Sequence, residues 1–207
     1  DLLSIMAEIE KIEEQEELSK YDSTSKPVFK MTDEECKEAM VFLKKPDLLD
    51  RIVMDFDICG YVGEAVSKKL CYLSATSRIM RKPFSAIVRA GSAGGKSELM
   101  TKTSEFMPSE QVETYTRITA MGLYYMQRDH LRNKLVIIDE KGGSDEADYS
   151  IRSLQSKDKL SLALPIKDPS TGKTETRTIE MFGPCVIWYS TTQLDLNPEN
   201  LNRSFEV

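Results

Sequence analysis

The pattern of apolar and polar positions divides the chain near residue 82. Before that point apolar residues recur at helical spacing; after it, short apolar or alternating runs sit between helical segments. Residues 2–18 place Leu2, Ile5, Met6, Ile9 and Ile12 on one face with glutamates elsewhere, which predicts a solvated amphipathic helix. Asp22 to Pro27 carries no period and reads as a linker. Thr32-Asp33-Glu34-Glu35 has capping-box spacing, so a helix is expected over about 33–45. Pro46 ends it, and Asp47 starts a second helix that closes near Gly60. A third is expected over about 63–80, burying Val66, Leu70, Cys71, Leu73 and Ile79.

Beyond residue 82, Phe84 to Arg89 predicts a strand, followed by a glycine-rich loop and a helix from Lys96 to about Phe106. Gln111 to Tyr115 suits a short strand, and Thr119 to Gln127 a helix. Lys134-Leu135-Val136-Ile137-Ile138-Asp139-Glu140 is an apolar run ending in two acids. Such a run predicts a buried parallel strand that delivers carboxylates at its C-terminal edge. Ser144 to about Leu154 is expected as a short helix. Leu160 to Ile166 and Thr174 to Glu180 alternate on either side of an Asp168-Pro169…Gly172 turn, the pattern of a β-hairpin. Cys185 to Tyr189 is a last apolar run, ending in Ser190-Thr191-Thr192, and Ser204 to Val207 reads as a strand just starting. The whole predicts an α/β core with a hairpin insertion, preceded by a helical subdomain.

Size and composition agree with that layout. The 207 residues suit one domain with an appendage, and 40% apolar with 30% charged residues is a soluble globular balance. No apolar run approaches a membrane span, and no signal peptide opens the chain, so a cytoplasmic protein without membrane contact is expected. Cys36, Cys59, Cys71 and Cys185 lack Cys-x-x-Cys spacing and are expected as reduced core residues. With only His130 beside them, a soft-ligand metal site is not expected. Net charge is −6, but residues 1–40 hold twelve acids and five bases, so the remainder is near +1. Any nucleic-acid contact must therefore come from a local patch. The start at Asp1 without Met and the stop at Val207 read as a fragment of something longer.

The loop Ala90-Gly91-Ser92-Ala93-Gly94-Gly95-Lys96-Ser97 lies between a predicted strand and a predicted helix, the context of a phosphate-binding loop. Gly91, Gly94 and Gly95 let the backbone fold around a polyphosphate, and Ser92 and Ala93 complete the cradle of N–H groups. Lys96 would reach the outer phosphates, while the Ser97 hydroxyl would hold Mg²⁺. A nucleotide triphosphatase also needs a carboxylate in the Mg²⁺ shell and a base for the attacking water. Asp139 and Glu140, adjacent at a strand end, suit those two roles. ATP and Mg²⁺ are thus the expected cofactors.

Three further features are less committed. Thr191 or Thr192, ending a strand, would lie beside the γ-phosphate or simply cap the next turn. Arg203 is either a surface charge or a group that crosses a subunit interface to a neighbour's nucleotide. Lys167 and Lys173 make the hairpin tip basic, but Asp168, Glu175 and Glu180 dilute the charge, so DNA contact and a solvated hairpin both remain open. Gly172-Lys173-Thr174 is not a second phosphate loop, since Lys167 stands where the upstream glycine is needed.

The order of these parts resembles the AAA+ ATPases, particularly the helicase branch that includes the MCM proteins, over about residues 82–207. Ala90 to Ser97 is similar to its Walker A loop and Leu135 to Glu140 to its Walker B strand. Leu160 to Glu180 falls at its pre-sensor-1 hairpin, Thr192 at sensor 1 (Asn in many members), and Leu201 to Phe205 at its arginine-finger segment. A closer likeness is to the ATPase segment of bacterial and mobile-element zinc-finger primase-helicase proteins, through Leu48 to Leu73, Leu154-Gln155-Ser156 and Lys167-Asp168-Pro169. The resemblance implies a P-loop NTPase core of strand order 5-1-4-3-2 and a hexameric ring; the family's C-terminal lid is missing from this sequence, as expected of a fragment. Its divisions here are an acidic arm and linker (1–30), a helical subdomain (31–81) and the ATPase core (82–207). It implies an ATP-driven DNA helicase or translocase of replication, with the hairpin tip, Lys167 and Lys173, moving against DNA. An AAA+ loader that binds a protein partner, and a small-molecule phosphotransferase, stay open as other classes.

Overall fold

The computed structural model describes residues 30–89, 95–139, 145–167, 173–191 and 203–207. The amphipathic arm expected before residue 30 lies outside them. Helix α1 (Asp33–Leu43) begins at the expected capping box: the Thr32 hydroxyl accepts from the Glu35 N–H at 3.3 Å, and the Glu35 carboxylate accepts from the Thr32 N–H at 2.7 Å. Helix α2 (Leu48–Ile58) stops at Gly60, whose φ of 90° takes the left-handed turn that suits glycine. The Gly60 N–H donates to the Asp57 carbonyl and the Tyr61 N–H to the Phe56 carbonyl, a Schellman closure. That closure sets the Tyr61 ring edge-on to Phe56, with centroids 6.5 Å apart.

Helix α3 (Ala65–Thr76) continues into a 3₁₀ turn, Ser77–Ile79, but its buried face is not the expected one. Val66, Leu70, Leu73 and Ile79 are exposed; of the expected set only Cys71 is buried, together with Lys68, Ser74 and Ala75. Small residues win this face because they let α3 approach the sheet closely. There the Ser74 hydroxyl accepts from the Trp188 indole N–H at 2.8 Å and donates to the Phe84 carbonyl at 2.6 Å.

Strands β1 (Ser85–Arg89), β2 (Val112–Tyr115), β3 (Leu135–Ile138), β6 (Val186–Thr191) and β7 (Ser204–Glu206) form one sheet of order β2-β3-β6-β1-β7, with every pair parallel. Setting aside the inserted hairpin, this is the order 5-1-4-3-2. Helix α4 (Lys96–Glu105) follows β1, and a 3₁₀ turn, Ser109–Gln111, leads into β2. Helix α5 (Ala120–Tyr124) is shorter than expected, capped by the Thr119 hydroxyl on the Gly122 N–H. Helix α6 (Asp145–Lys157) runs past Leu154, and the turn at Asp158 passes directly into the antiparallel hairpin of β4 (Lys159–Lys167) and β5 (Thr174–Phe182).

Both faces of the sheet are covered. Ala86, Val88, Leu135, Ile137, Val186 and Trp188 pack with Ile52, Phe56, Cys71, Leu99 and Met100 from the helices on one side. Ile87, Val136, Ile138, Ile187 and Tyr189 pack with Leu123, Ile151, Leu154, Leu160 and Met181 on the other. Alternating strand residues therefore feed opposite cores, which is why these runs are continuously apolar. The described residues from Met31 to Val207 form one compact unit, and the N-terminal helices share their core with the sheet. All four cysteines are free thiols. Cys71 and Cys185 are buried as expected, whereas Cys36, on α1, and Cys59, just after α2, are exposed. Among the described residues, no helix is long and apolar enough to cross a membrane.

Candidate functional site

Because all five strands run the same way, their C-terminal ends share one edge, where ligands of open parallel sheets bind. At that edge Arg89 of β1 is in register with Thr191 of β6, and Ile138 of β3 with Tyr189. The glycine-rich loop after β1, the acidic turn after β3 and the threonine turn after β6 therefore leave three adjacent strands on the same side. Strand spacing puts the ends of β1 and β3 about 10 Å apart, with β6 between them.

Gly95 and Ser97 frame the described part of the loop. Gly95 has φ of 73°, a conformation that suits glycine, and its carbonyl accepts from the Leu99 N–H at 2.9 Å to begin α4. Lys96 is the first residue of α4, and Ser97 is exposed in its first turn. A helix end of this kind offers N–H groups and positive dipole that suit an anion. Gly91, Ser92, Ala93 and Gly94 lie outside the described residues, as do Glu140 and Thr192.

Asp139 follows directly on β3 and is exposed. Its N–H donates to the Tyr115 carbonyl at 3.0 Å, and its carbonyl accepts from the Ser190 hydroxyl. The backbone at Asp139 is thus held from both neighbouring strands, which leaves the carboxylate side chain for chemistry. Thr191 is buried at the end of β6. Arg89 and Glu206 form an ion pair at 2.8 Å, while backbone bonds between Arg89 and Val207, and between Val207 and Ile87, fasten β7 beside the loop.

Pattern reading misses three contributors. Ser190 is one; a hydroxyl within the run ending β6 was its only signal. Tyr61 is the second: its hydroxyl would lie 3.7 Å from a Cβ at Gly95 and donates to Glu64 at 3.2 Å. Burial, and then the Glu64 carboxylate, push this phenol up to about 12, so it stays a donor. Lys68 is the third. It is fully buried, 2.5 Å from Asp57 and over the rings of Phe56 and Tyr61.

Lys167 and Lys173 are both exposed, one on each side of the hairpin tip, whose residues 168–172 lie outside the described residues. The hairpin base is anchored by buried Leu160 and Met181, and Lys159 pairs with Glu180 at 2.5 Å. Arg203 is exposed and immediately precedes β7, whose first residue, Ser204, is in register with Ser85. It therefore lies at the N-terminal edge of the sheet, opposite Asp139.

Among the described residues no three His, Cys, Asp or Glu side chains gather as a metal site. A single exposed carboxylate and a hydroxyl instead suit a hard cation that takes its remaining oxygens from phosphate and water. Comparison with protein-family models gives no match, and comparison with curated proteins gives none either. The fold itself is α/β, a five-stranded parallel sheet with helices on both faces, and is consistent with a Rossmann-like or P-loop architecture.

Proposed function

We propose that this chain is the ATP-binding and hydrolysing core of a cytoplasmic AAA+ motor, acting as a DNA helicase or translocase in replication of a bacterial or mobile-element genome. The strand order carries this reading: glycine-rich loop, acidic turn and threonine turn emerge from neighbouring strands at one edge. The groups present suit Mg-ATP. Gly91 to Gly95 would cradle the phosphates, Lys96 would bind their outer oxygens, and Ser97 and Asp139 would hold Mg²⁺, which would neutralise charge as the terminal phosphoryl leaves. Glu140 then acts as base for the attacking water, and Thr192 orients it.

Arg203 serves a different site. It stands across a sheet about 15 Å deep from its own loop, so it reaches a nucleotide only on another copy of the chain. This supports a homo-oligomer, in keeping with a hexameric ring, whose sites are each completed by a neighbour.

One observation favours a second reading, an AAA+ loader with a protein partner. Leu162, Leu164 and Ile179 share one face of the projecting hairpin and are only half-buried. Calorimetry with Mg-ATP tests the shared core: binding by the wild-type chain and its loss in Lys96→Ala are expected, and equal binding by both contradicts it. DNA then separates the readings. DNA-stimulated turnover that falls in Lys167→Ala/Lys173→Ala marks the translocase, and turnover indifferent to any DNA marks the loader.

A further inference from the structure

Arg203 is fastened to the far end of the helix that begins beside the acidic turn. Its Nε donates to the Ser156 hydroxyl at 2.7 Å, and in the next residue the Ser204 hydroxyl accepts from Gln155 Nε2 at 3.4 Å. The Tyr189 hydroxyl, buried on β6, is also hydrogen-bonded to Ser204. Three contacts from two elements thus converge on two consecutive residues. Helix α6 carries the first two in its last turn, and it opens at Asp145, just past the Asp139-Glu140 turn. Its thirteen residues span about 20 Å, more than enough to cross the sheet from one edge to the other. After Lys157 the chain enters the hairpin at once.

Stability does not explain the Ser156 contact. An exposed hydrogen bond barely offsets the rotamer freedom that an arginine gives up to make it. What the bond does is fix the guanidinium plane at Nε, using one of five N–H donors. Such orientation matters for a group that must meet developing charge on a neighbour.

We propose that Ser156, supported by Gln155, is a positioning residue that sets the Arg203 guanidinium for action on another copy of the chain. This rests on the trans role of Arg203 proposed above. Through α6 it ties the arginine that serves the neighbour to the helix leaving the chain's own acidic turn and to the root of the hairpin.

The test uses the full-length chain with Ser156→Ala, Ser156→Thr, Arg203→Ala and the Ser156→Ala/Arg203→Ala double variant. Two readouts are taken: the arginine Nε–H resonance of Arg203, and kcat and KM for Mg-ATP. Ser156 is exposed, so its truncation leaves the core intact. Ser156→Ala is expected to lose protection of the Nε–H from exchange and to lower kcat about tenfold, with KM within twofold. Ser156→Thr, which keeps the hydroxyl, restores both. Arg203→Ala lowers kcat about a thousandfold, and adding Ser156→Ala costs nothing more. A wild-type resonance and kcat in Ser156→Ala, or a full tenfold loss on top of Arg203→Ala, overturns the positioning role and leaves the trans role standing. Unchanged turnover in Arg203→Ala overturns both, while nucleotide binding through Lys96 is judged separately by calorimetry.

Discussion

The Ser190 hydroxyl donates its hydrogen bond to the Asp139 carbonyl, joining the ends of β6 and β3. With the Tyr115 carbonyl accepting from the Asp139 N–H, the acidic turn starts from a backbone fixed on both sides. Ser190→Ala removes one of these ties. It should lower the unfolding free energy by about 1 kcal/mol in urea titrations. It should also raise the Mg²⁺ concentration needed for half-maximal turnover severalfold, because Asp139 is less well held. An unchanged Mg²⁺ requirement would show that the bond serves stability alone.

The buried ammonium of Lys68 makes a second, independent prediction. Among the described residues it pairs with Asp57, which is itself half-exposed, and it faces the rings of Phe56 and Tyr61. Asp57→Asn leaves the charge enclosed without its counter-ion and should cost about 2–3 kcal/mol. Lys68→Met removes the charge while keeping the volume and should cost less than about 1 kcal/mol. Urea titrations followed by emission of the one tryptophan, Trp188, measure both. The reverse ranking would mean that the pair contributes by attraction rather than by mutual neutralisation.

The thiols set an alkaline limit. Burial first, then the nearby Glu64 for Cys71 and Asp158 for Cys185, push both from 9.0 up to about 12. Between those values the unfolded chain has released these protons while the folded chain still holds them. Their stabilising contribution is therefore whole below pH 9 and is lost as pH rises toward 12. The slope approaches about 1.4 kcal/mol per pH unit for each thiol. A thiol reagent at pH 8 should modify exposed Cys36 and Cys59 quickly, and Cys71 and Cys185 only on unfolding. Rapid reaction of all four would contradict the packing of α3 on β1 and the seating of Cys185 before β6.

Much of this architecture is legible in the sequence where one physical cause dominates. The Lys134 to Glu140 run has no alternative to a strand buried on both faces, and the structure has β3 there. The Thr32–Glu35 box starts α1, and alternation on either side of residues 168–172 makes the hairpin. The α3 face is not legible because hydrophobicity points outward there: a lysine, a serine and an alanine go in, and Val66, Leu70 and Leu73 stay out. Each exception depends on a partner far along the chain, Asp57 for Lys68 and Trp188 for Ser74. The same holds at the site. Asp139 and Ser97 announce themselves by motif, whereas Ser190, Tyr61 and Ser156 matter through neighbours that only folding supplies.

Glu140→Gln tests the central claim most directly, since it keeps the shape of the side chain and removes its basicity. Mg-ATP binding by calorimetry and turnover by phosphate release are measured on the same preparation. ATP affinity within about twofold of wild type, with kcat reduced at least about a hundredfold, is the predicted result. Wild-type turnover in Glu140→Gln would contradict the account of this edge as an ATP-hydrolysing site.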